Sequence, residues 1–473
     1  MNNVLLNNFL DLCKIPHTSG NEEKLRNYLK LRFENGGIKA KIDKVGNLYA
    51  HTPATKGYEK RPTICLQAHL DMVGSKTKKS KHNFKTDPIQ VSIKNGILKA
   101  NNTTLGGDDG GGVAMIVTVL EDKQIQHGPL EALFTIEEET TTIGAIKLEK
   151  NVLQAKYLFN IDGEGDDTIT IGSGGGEDIE CYIKPKLVTT KGQTVLISLF
   201  KLLSGHSGGD IHLNRLNAII EVFKCLNKLS NKYEIQLCNA QGGMAKNVIP
   251  GFCDIYVNVN DNQAKNFIND AKKYLINLKK INRKNEPNLE FKVTLTKTRN
   301  KAINTKDTNK IVDFISNVTN GKIKYDKKYK VVSESANLGI IKFDNGSLTL
   351  EWLNRGETFK NIKDIQNKII SLIKTNKWSF KRLNLTAPWQ PTIDGKLLNK
   401  ILEIYKNNFH KTPKVEVIPG VLESGEILSK YPKMSAISIG PNLHDVHTPN
   451  ERMELKSFYF VYNVLCSILS KIN

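Results

Sequence analysis

The fold class that this sequence predicts is α/β: a split catalytic domain with a central mixed sheet flanked by helices, plus an inserted α+β domain. Three observations predict it. Predominantly apolar segments of strand length recur at 64–68, 130–136 and 157–161, separated by glycine-rich or helix-like stretches, as buried strands of an open sheet do. From about residue 186 the character changes, and alternating strand-like segments alternate with amphipathic helices for about 200 residues. After Pro388-Trp389-Gln390-Pro391, which reads as a linker back, the first pattern returns. The boundaries read from this are 1–185 and 387–473 for the split domain and 186–386 for the insertion.

At 473 residues the chain is long for one core, so two domains are expected. Its start lacks both a basic region and a sustained apolar run, so no secretory signal is expected, and no stretch reaches membrane-spanning length. Seven scattered cysteines without CxxC spacing fit reduced thiols in a cytoplasm. The net charge of +20 invites a nucleic-acid reading. Against it, the lysines are spread among many asparagines, without a zinc-finger, RNP or helix-turn-helix signature. The locally basic run 76–85 reads as a solvated loop.

In chain order, an amphipathic helix opens at Asn21 with Leu25, Leu29 and Phe33 on one face and ends at Gly36-Gly37. Strands follow at 40–42 and 47–50, then the buried strand 64–68 that delivers His69. A hairpin turns at Asn95-Gly96. The glycine loop 106–112 leads into 113–120, too apolar for a surface helix and therefore a buried one. Strands at 130–136 and 157–161 enclose a further helix. In the insertion, strands are expected at 194–199, 253–259, 289–295 and 346–350, with helices near 213–229, 262–277 and 310–317. The last part holds a helix at 397–407, strands at 415–418 and 435–439, and a His-bearing loop at 440–452.

Chemistry collects where these strands end. His69 and Asp71 lie two apart, so on an extended strand end they project to one side. Alone, such a pair is more often a structural polar pair; the other segments raise its rank. Asp108 sits in Gly106-Gly107-Asp108-Asp109-Gly110-Gly111-Gly112, where a phosphate cradle is the rival reading. That rival lacks the Lys-Ser/Thr of a P-loop, and two aspartates would repel phosphate. Glu138 and Glu139 follow the strand 130–136, Asp162 follows 157–161, and His447, with His444 as the rival ligand, comes from the far end of the chain. Asp108, Glu139 and Asp162 with two neutral imidazoles balance two dications and a hydroxide, which favours two metal ions over one. Mixed nitrogen and oxygen donors suit zinc, with manganese or cobalt as substitutes.

These segments resemble the aminoacyl-histidine dipeptidases (Xaa-His dipeptidase, carnosinase-like) of the co-catalytic zinc metallopeptidases. The resemblance spans nearly the full chain. It is carried by Ile15-Pro16-His17-Thr18-Ser19, His69-Leu70-Asp71-Met72-Val73, Thr104-Leu105-Gly106-Gly107-Asp108 and His127-Gly128-Pro129-Leu130-Glu131. Gly205-His206-Ser207-Gly208-Gly209-Asp210, Met244-Ala245-Lys246-Asn247-Val248-Ile249-Pro250 and His447-Thr448-Pro449-Asn450-Glu451 complete it. The resemblance implies a zinc-exopeptidase-like fold whose insertion is a lid. It implies that Asp108 bridges two metals, with His69 and Asp162 on one and Glu139 and His447 on the other. Asp71 would orient His69, and Glu138 would be the general base. His206 would stabilise the oxyanion, while Asn247, Arg355 and Glu423 would hold substrate. Where the family usually has His and Asn, this chain has Pro419 and Asp109; these departures bear on substrate range.

The expectation is thus a cytoplasmic metallo-dipeptidase acting on dipeptides with a free amino terminus, Xaa-His among them. A small peptide is its partner, with neither nucleic acid nor membrane, and a homodimer is left open. The rivals are a deacylase of N-acyl amino acids and a basic binding protein on an inactive peptidase scaffold.

Overall fold

The computed structural model describes residues 3–391 and 394–473. The chain forms two compact units: 1–173, 389–417 and 422–473 make the first, and 174–388 with 418–421 make the second.

The first unit is built on an eight-stranded mixed sheet. Its order is Lys39–Ile42, Leu48–Thr52, Leu130–Thr135, Ile64–His69, Tyr157–Asn160, Ser435–Ser438, Thr168–Ser173 and Lys414–Ile418. Leu130–Thr135, Ile64–His69, Tyr157–Asn160 and Ser435–Ser438 run parallel. Every residue of the first three is buried, which is why they read as near-continuous apolar runs rather than alternating ones. Parallel pairing brings their C-terminal ends to one edge, where open α/β sheets place their ligands.

The helix Gly107–Glu121 is buried along almost its whole length. It packs on Ile64–His69 and on the helix Asn3–Cys13, where Asn8 Nδ2 donates to Thr118 Oγ1 at 2.9 Å. A helix apolar all round needs neighbours on several sides, and these two supply them. The amphipathic helix Glu23–Asn35 buries Leu25, Leu29 and Phe33, as its spacing requires. A four-stranded sheet, Leu443–His444, Arg452–Glu454, Ile97–Ala100 and Val91–Lys94, anchors both ends of the loop carrying His447.

The second unit contains a nine-stranded antiparallel sheet covered by the helices Ala218–Ser230, Ala264–Ile281, Thr305–Asn317 and Phe359–Thr375. Its boundary differs from the sequence reading. Gly175–Ile183 pairs with Ser347–Gly356 and Ser379–Thr386, so the second unit begins at 174 rather than 186. The expected linker is also anchored: Ser173 and Trp389 exchange backbone hydrogen bonds, and Trp389 is 2% exposed.

Candidate metal centre

His69 ends its strand with its ring fixed from behind. Nδ1 lies 2.9 Å from the Asp71 carbonyl oxygen, a pure acceptor, so Nδ1 carries the ring proton. Nε2 then presents its lone pair, yet it lies 3.1 Å from Asp108 Oδ1 and 3.6 Å from Asp162 Oδ1. The other Asp108 oxygen is 3.1 Å from His447 Nε2, which is 2.8 Å from Glu139 Oε1. Two imidazole nitrogens thus face opposite oxygens of one carboxylate. Such contacts call for positive charge, either a proton on each ring nitrogen or a cation between the groups.

The ionisation of the site agrees. Burial alone lowers the His69 value, but Asp162, Asp108 and Asp71 outweigh it and hold His69 well above an ordinary histidine. Hydrogen bonds with Asp108 and Glu139 push His447 up to about 11. Burial raises Asp108, but the two imidazoles overcome it and hold it below the usual carboxylate range. Burial pushes Asp162 up to about 7 and raises Glu138 and Glu139, with Asp162 and Glu423 adding to the effect on Glu138. Donor atoms of three sets lie within 4.8 Å of one another: His69, Asp109 and Asp162; His69, Glu138 and Glu139; Asp108, Glu139 and His447. By geometry and donor chemistry the residues fit divalent ions.

Asp71 does more than face His69. Its carboxylate accepts the Glu138 amide at 2.9 Å, the Glu139 amide at 3.2 Å and Ser19 Oγ at 2.8 Å, so one buried group orients both strand ends. The loop bearing Asp108 is shaped by Gly106, at φ +73°, and by Gly112, where a Cβ would lie 2.4 Å from Asp109 Oδ1. The Asp108–Asp109 peptide bond is cis.

Glu451, quoted above only within a motif, is a residue that sequence reasoning missed. It is 2% exposed and accepts the amides of Leu105 (2.8 Å), Gly106 (3.1 Å), Gly107 (2.7 Å) and Asp108 (3.4 Å). A carboxylate in a concave row of amides fixes the path of the metal-site loop. Asp109, expected from the sequence to bear on substrate range, accepts the His69 amide (3.3 Å) and the Gly112 amide (3.0 Å) with its carboxylate oxygens.

The rival His444 has its Nε2 2.7 Å from Glu454 Oε1, which leaves His447 as the histidine facing Asp108 and Glu139. Glu423, expected to hold substrate, lies inside the first unit. It is fully buried, its Oε2 accepting from Gln67 Nε2 at 2.7 Å and from Thr135 Oγ1, and burial pushes it up to about 8. It braces the strand ends from within.

The second unit gathers His206, Asn247 and Arg355. The Ser207 amide donates to the Asn247 carbonyl at 2.8 Å. The Gly209 amide donates to His206 Nδ1 at 3.0 Å, leaving the ring proton on Nε2. Arg355 Nη2 lies 3.4 Å from that Nε2, and buried Arg355 Nε and Nη1 have no hydrogen-bond partner. Burial lowers Arg355 to about 10, against the opposing pull of Asp178.

The model of peptidase family M20/M25/M40 matches residues 65–471. The chain belongs to this family. An M20-type peptidase is a hydrolase, and the metal-ligand candidates lie within the matched region. The chain is 32% identical over 470 residues to the cytosol non-specific dipeptidase of Escherichia coli, covering 98% of this chain and 96% of that one. Among solved structures, the aminoacylhistidine dipeptidase of Vibrio alginolyticus superposes with a TM-score of 0.88 at 28% identity, covering 99% and 96% of the two chains. Human carnosine dipeptidase 1 shares the fold, with a TM-score of 0.53 at 10% identity and 99% and 95% covered.

Proposed function

We propose that this M20-family chain is a two-metal dipeptidase that cleaves dipeptides with a free amino terminus, Xaa-His dipeptides among them. The observation that carries the reading is the meeting of His69, Asp108, Glu139, Asp162 and His447 at one sheet edge, with Glu138 beside them. The dipeptidase names of the Escherichia coli and Vibrio relatives support the substrate class. The first relative's cytosolic name supports the cytoplasm.

We assign His69 and Asp162 to one ion, Glu139 and His447 to the other, and Asp108 to both. Asp108 is preferred to Asp109 as the shared ligand because its two oxygens face the two imidazoles, whereas those of Asp109 already accept backbone amides. Zinc is the assigned metal, with manganese or cobalt as substitutes. Held by these residues, two such ions would supply a water of lowered pKa and polarise the scissile carbonyl. Glu138 takes the proton of the attacking water and passes it to the leaving amine. Its raised value brings it nearer the working pH of a proton carrier. Asp71 holds His69 and the Glu138-Glu139 backbone in register. In the second unit, His206 Nε2–H is assigned to the oxyanion, and Asn247 and Arg355 to the substrate carboxylate. The buried, unsatisfied donors of Arg355 are suited to an anion.

The test is a metal-stripped and zinc-restored preparation assayed on Ala-Ala, Ala-His, carnosine and N-acetyl amino acids, with metal counted by mass spectrometry. Two zinc ions per chain and dipeptide cleavage that is lost and restored with them are expected. Cleavage of N-acetyl amino acids in preference to dipeptides would overturn the reading.

A further inference from the structure

The run 76–85 holds five lysines and no acidic residue. Its sequence reads as a solvated loop, and its five lysines are exposed, with local hydrogen bonds holding its shape. Lys76 Nζ donates to the His82 carbonyl at 2.6 Å, the Asn83 amide donates to Asp87 Oδ2 at 2.8 Å, and the His82 ring packs edge-on against Phe84. Lys76, Lys81 and Lys85 line a cleft of about 600 Å³ in the first unit, whose wall includes Met72 and Phe84 and which reaches Glu139. Lys81 and Lys85 are exposed and, among the described residues, form no ion pair.

We propose that this cleft is a side-chain subsite for acidic residues, so that dipeptides carrying Asp or Glu are favoured substrates. The proposal rests on the dipeptidase reading above and adds the substrate class. A dipeptide whose scissile carbonyl sits at the metal centre has a side chain within reach of the cleft beside Glu139. Met72 and Phe84 offer apolar contact to its methylene stem, and the ammonium groups of Lys81 and Lys85 meet a terminal carboxylate. Glu139 does not cancel them, because its charge is assigned to a metal ion. Asp87, held by the Asn83 amide and Thr86 Oγ1, keeps its charge and offsets one of the five lysines of the run. A rim of net positive charge beside a reaction centre selects anionic groups and repels cationic ones.

The experiment compares kcat/KM of the zinc-loaded wild type and of K81E/K85E on two matched pairs, Glu-Ala against Lys-Ala and Ala-Glu against Ala-Lys, with Ala-Ala as the neutral reference. At one of the two positions the wild type is expected to favour Glu over Lys by about ten-fold at low ionic strength, the scale of two partly exposed ion pairs. High salt should shrink that ratio, and K81E/K85E should invert it. If Ala-Ala is cleaved but both ratios stay within about two-fold of one, or K81E/K85E leaves them unmoved, the subsite is wrong and the dipeptidase reading stands. If no dipeptide is cleaved, the reading fails and the subsite falls with it. Should K81E/K85E not fold, the wild-type ratio and its salt dependence decide.

Discussion

Half-buried Glu138 and buried Glu451 both bring carboxylates to the candidate metal centre, yet removing their charge should do different things. The Glu138 backbone amide donates its hydrogen bond to Asp71, so Glu138→Gln leaves that contact intact and removes only the proposed proton carrier. Bound zinc should stay near two per chain while kcat falls at least ~100-fold; near-normal turnover would remove Glu138 from the mechanism. Glu451 instead holds four backbone amides with its side chain. Glu451→Gln places an NH2 group against amide donors, so the isosteric change should be about as harmful as Glu451→Ala. Both should weaken zinc binding by about 10- to 100-fold in titration calorimetry, as loss of a group supporting metal ligands does. Both should also cost about 1–3 kcal/mol of stability for the unsatisfied donors. A Gln variant that binds zinc like the wild type would reduce Glu451 to a space-filler. None of this is visible in the sequence, where Glu451 is one acidic residue after Pro449-Asn450 and the amides it serves lie more than 340 positions earlier. The choice between His444 and His447 is open to the resemblance but not to the spacing of the two residues. It depends on Glu454 pairing with the first and on the turn that places the second at φ +64°.

At the scale of elements, what sequence reveals depends on how completely each segment is buried. Ile64–His69, Leu130–Thr135 and Tyr157–Asn160 are legible because parallel strands covered on both faces leave little room for polar residues. The candidate ligands at their ends are legible for the same reason. Gly175–Ile183 is not: it opens with two glycines and carries Glu177, Asp178 and Glu180, a loop-like composition that pairing on both sides overrides. Arg382 and Lys246 partner Glu177 and Asp178 there, a compensation that lies far away in sequence. The C-terminal helix Leu455–Lys471 contains Phe458-Tyr459-Phe460-Val461-Tyr462, residues that favour strands until tertiary packing decides. A helix whose start can be tested directly is Ala218–Ser230. Asn217 Oδ1 accepts the amides of Ile219 and Ile220 at 3.0 and 3.2 Å, and Nδ2 donates to the Leu338 carbonyl at 2.9 Å. Asn217→Ala should lower stability by about 1–2 kcal/mol in urea denaturation followed by circular dichroism. Asn217→Asp should recover only the cap, since it cannot donate to Leu338. Equal stability of all three proteins would show that the cap contributes nothing.

For the whole molecule, the seven thiols report on packing in both units. All are free; Cys13, Cys65 and Cys466 lie in the first unit, and Cys181, Cys225, Cys238 and Cys253 in the second. Burial pushes Cys181, Cys225 and Cys238 up to about 12 and Cys466 up to about 11, and lifts Cys13, Cys65 and Cys253 further still. Thiolate is the reactive form, so a disulfide reagent at pH 8 should leave the folded protein almost unlabelled, with half-buried Cys466 reacting first. In urea all seven should react at once. The same burial sets a sign for alkaline stability. Below the unfolded thiol value of 9.0 both states keep their protons, and the full stability is present. Above it the unfolded chain releases protons that the folded chain retains, so stability falls as pH rises. Each fully buried thiol contributes up to about 1.4 kcal/mol of loss per pH unit, until the folded thiol itself ionises. Urea midpoints should therefore drop clearly between pH 8 and pH 10. Replacing buried Cys225 and Cys253 by alanine should make that drop shallower, even though the cavities lower stability at pH 8. Rapid labelling of several thiols in the folded protein at pH 8, or a midpoint indifferent to pH, would mean that the two cores are far looser than their burial implies.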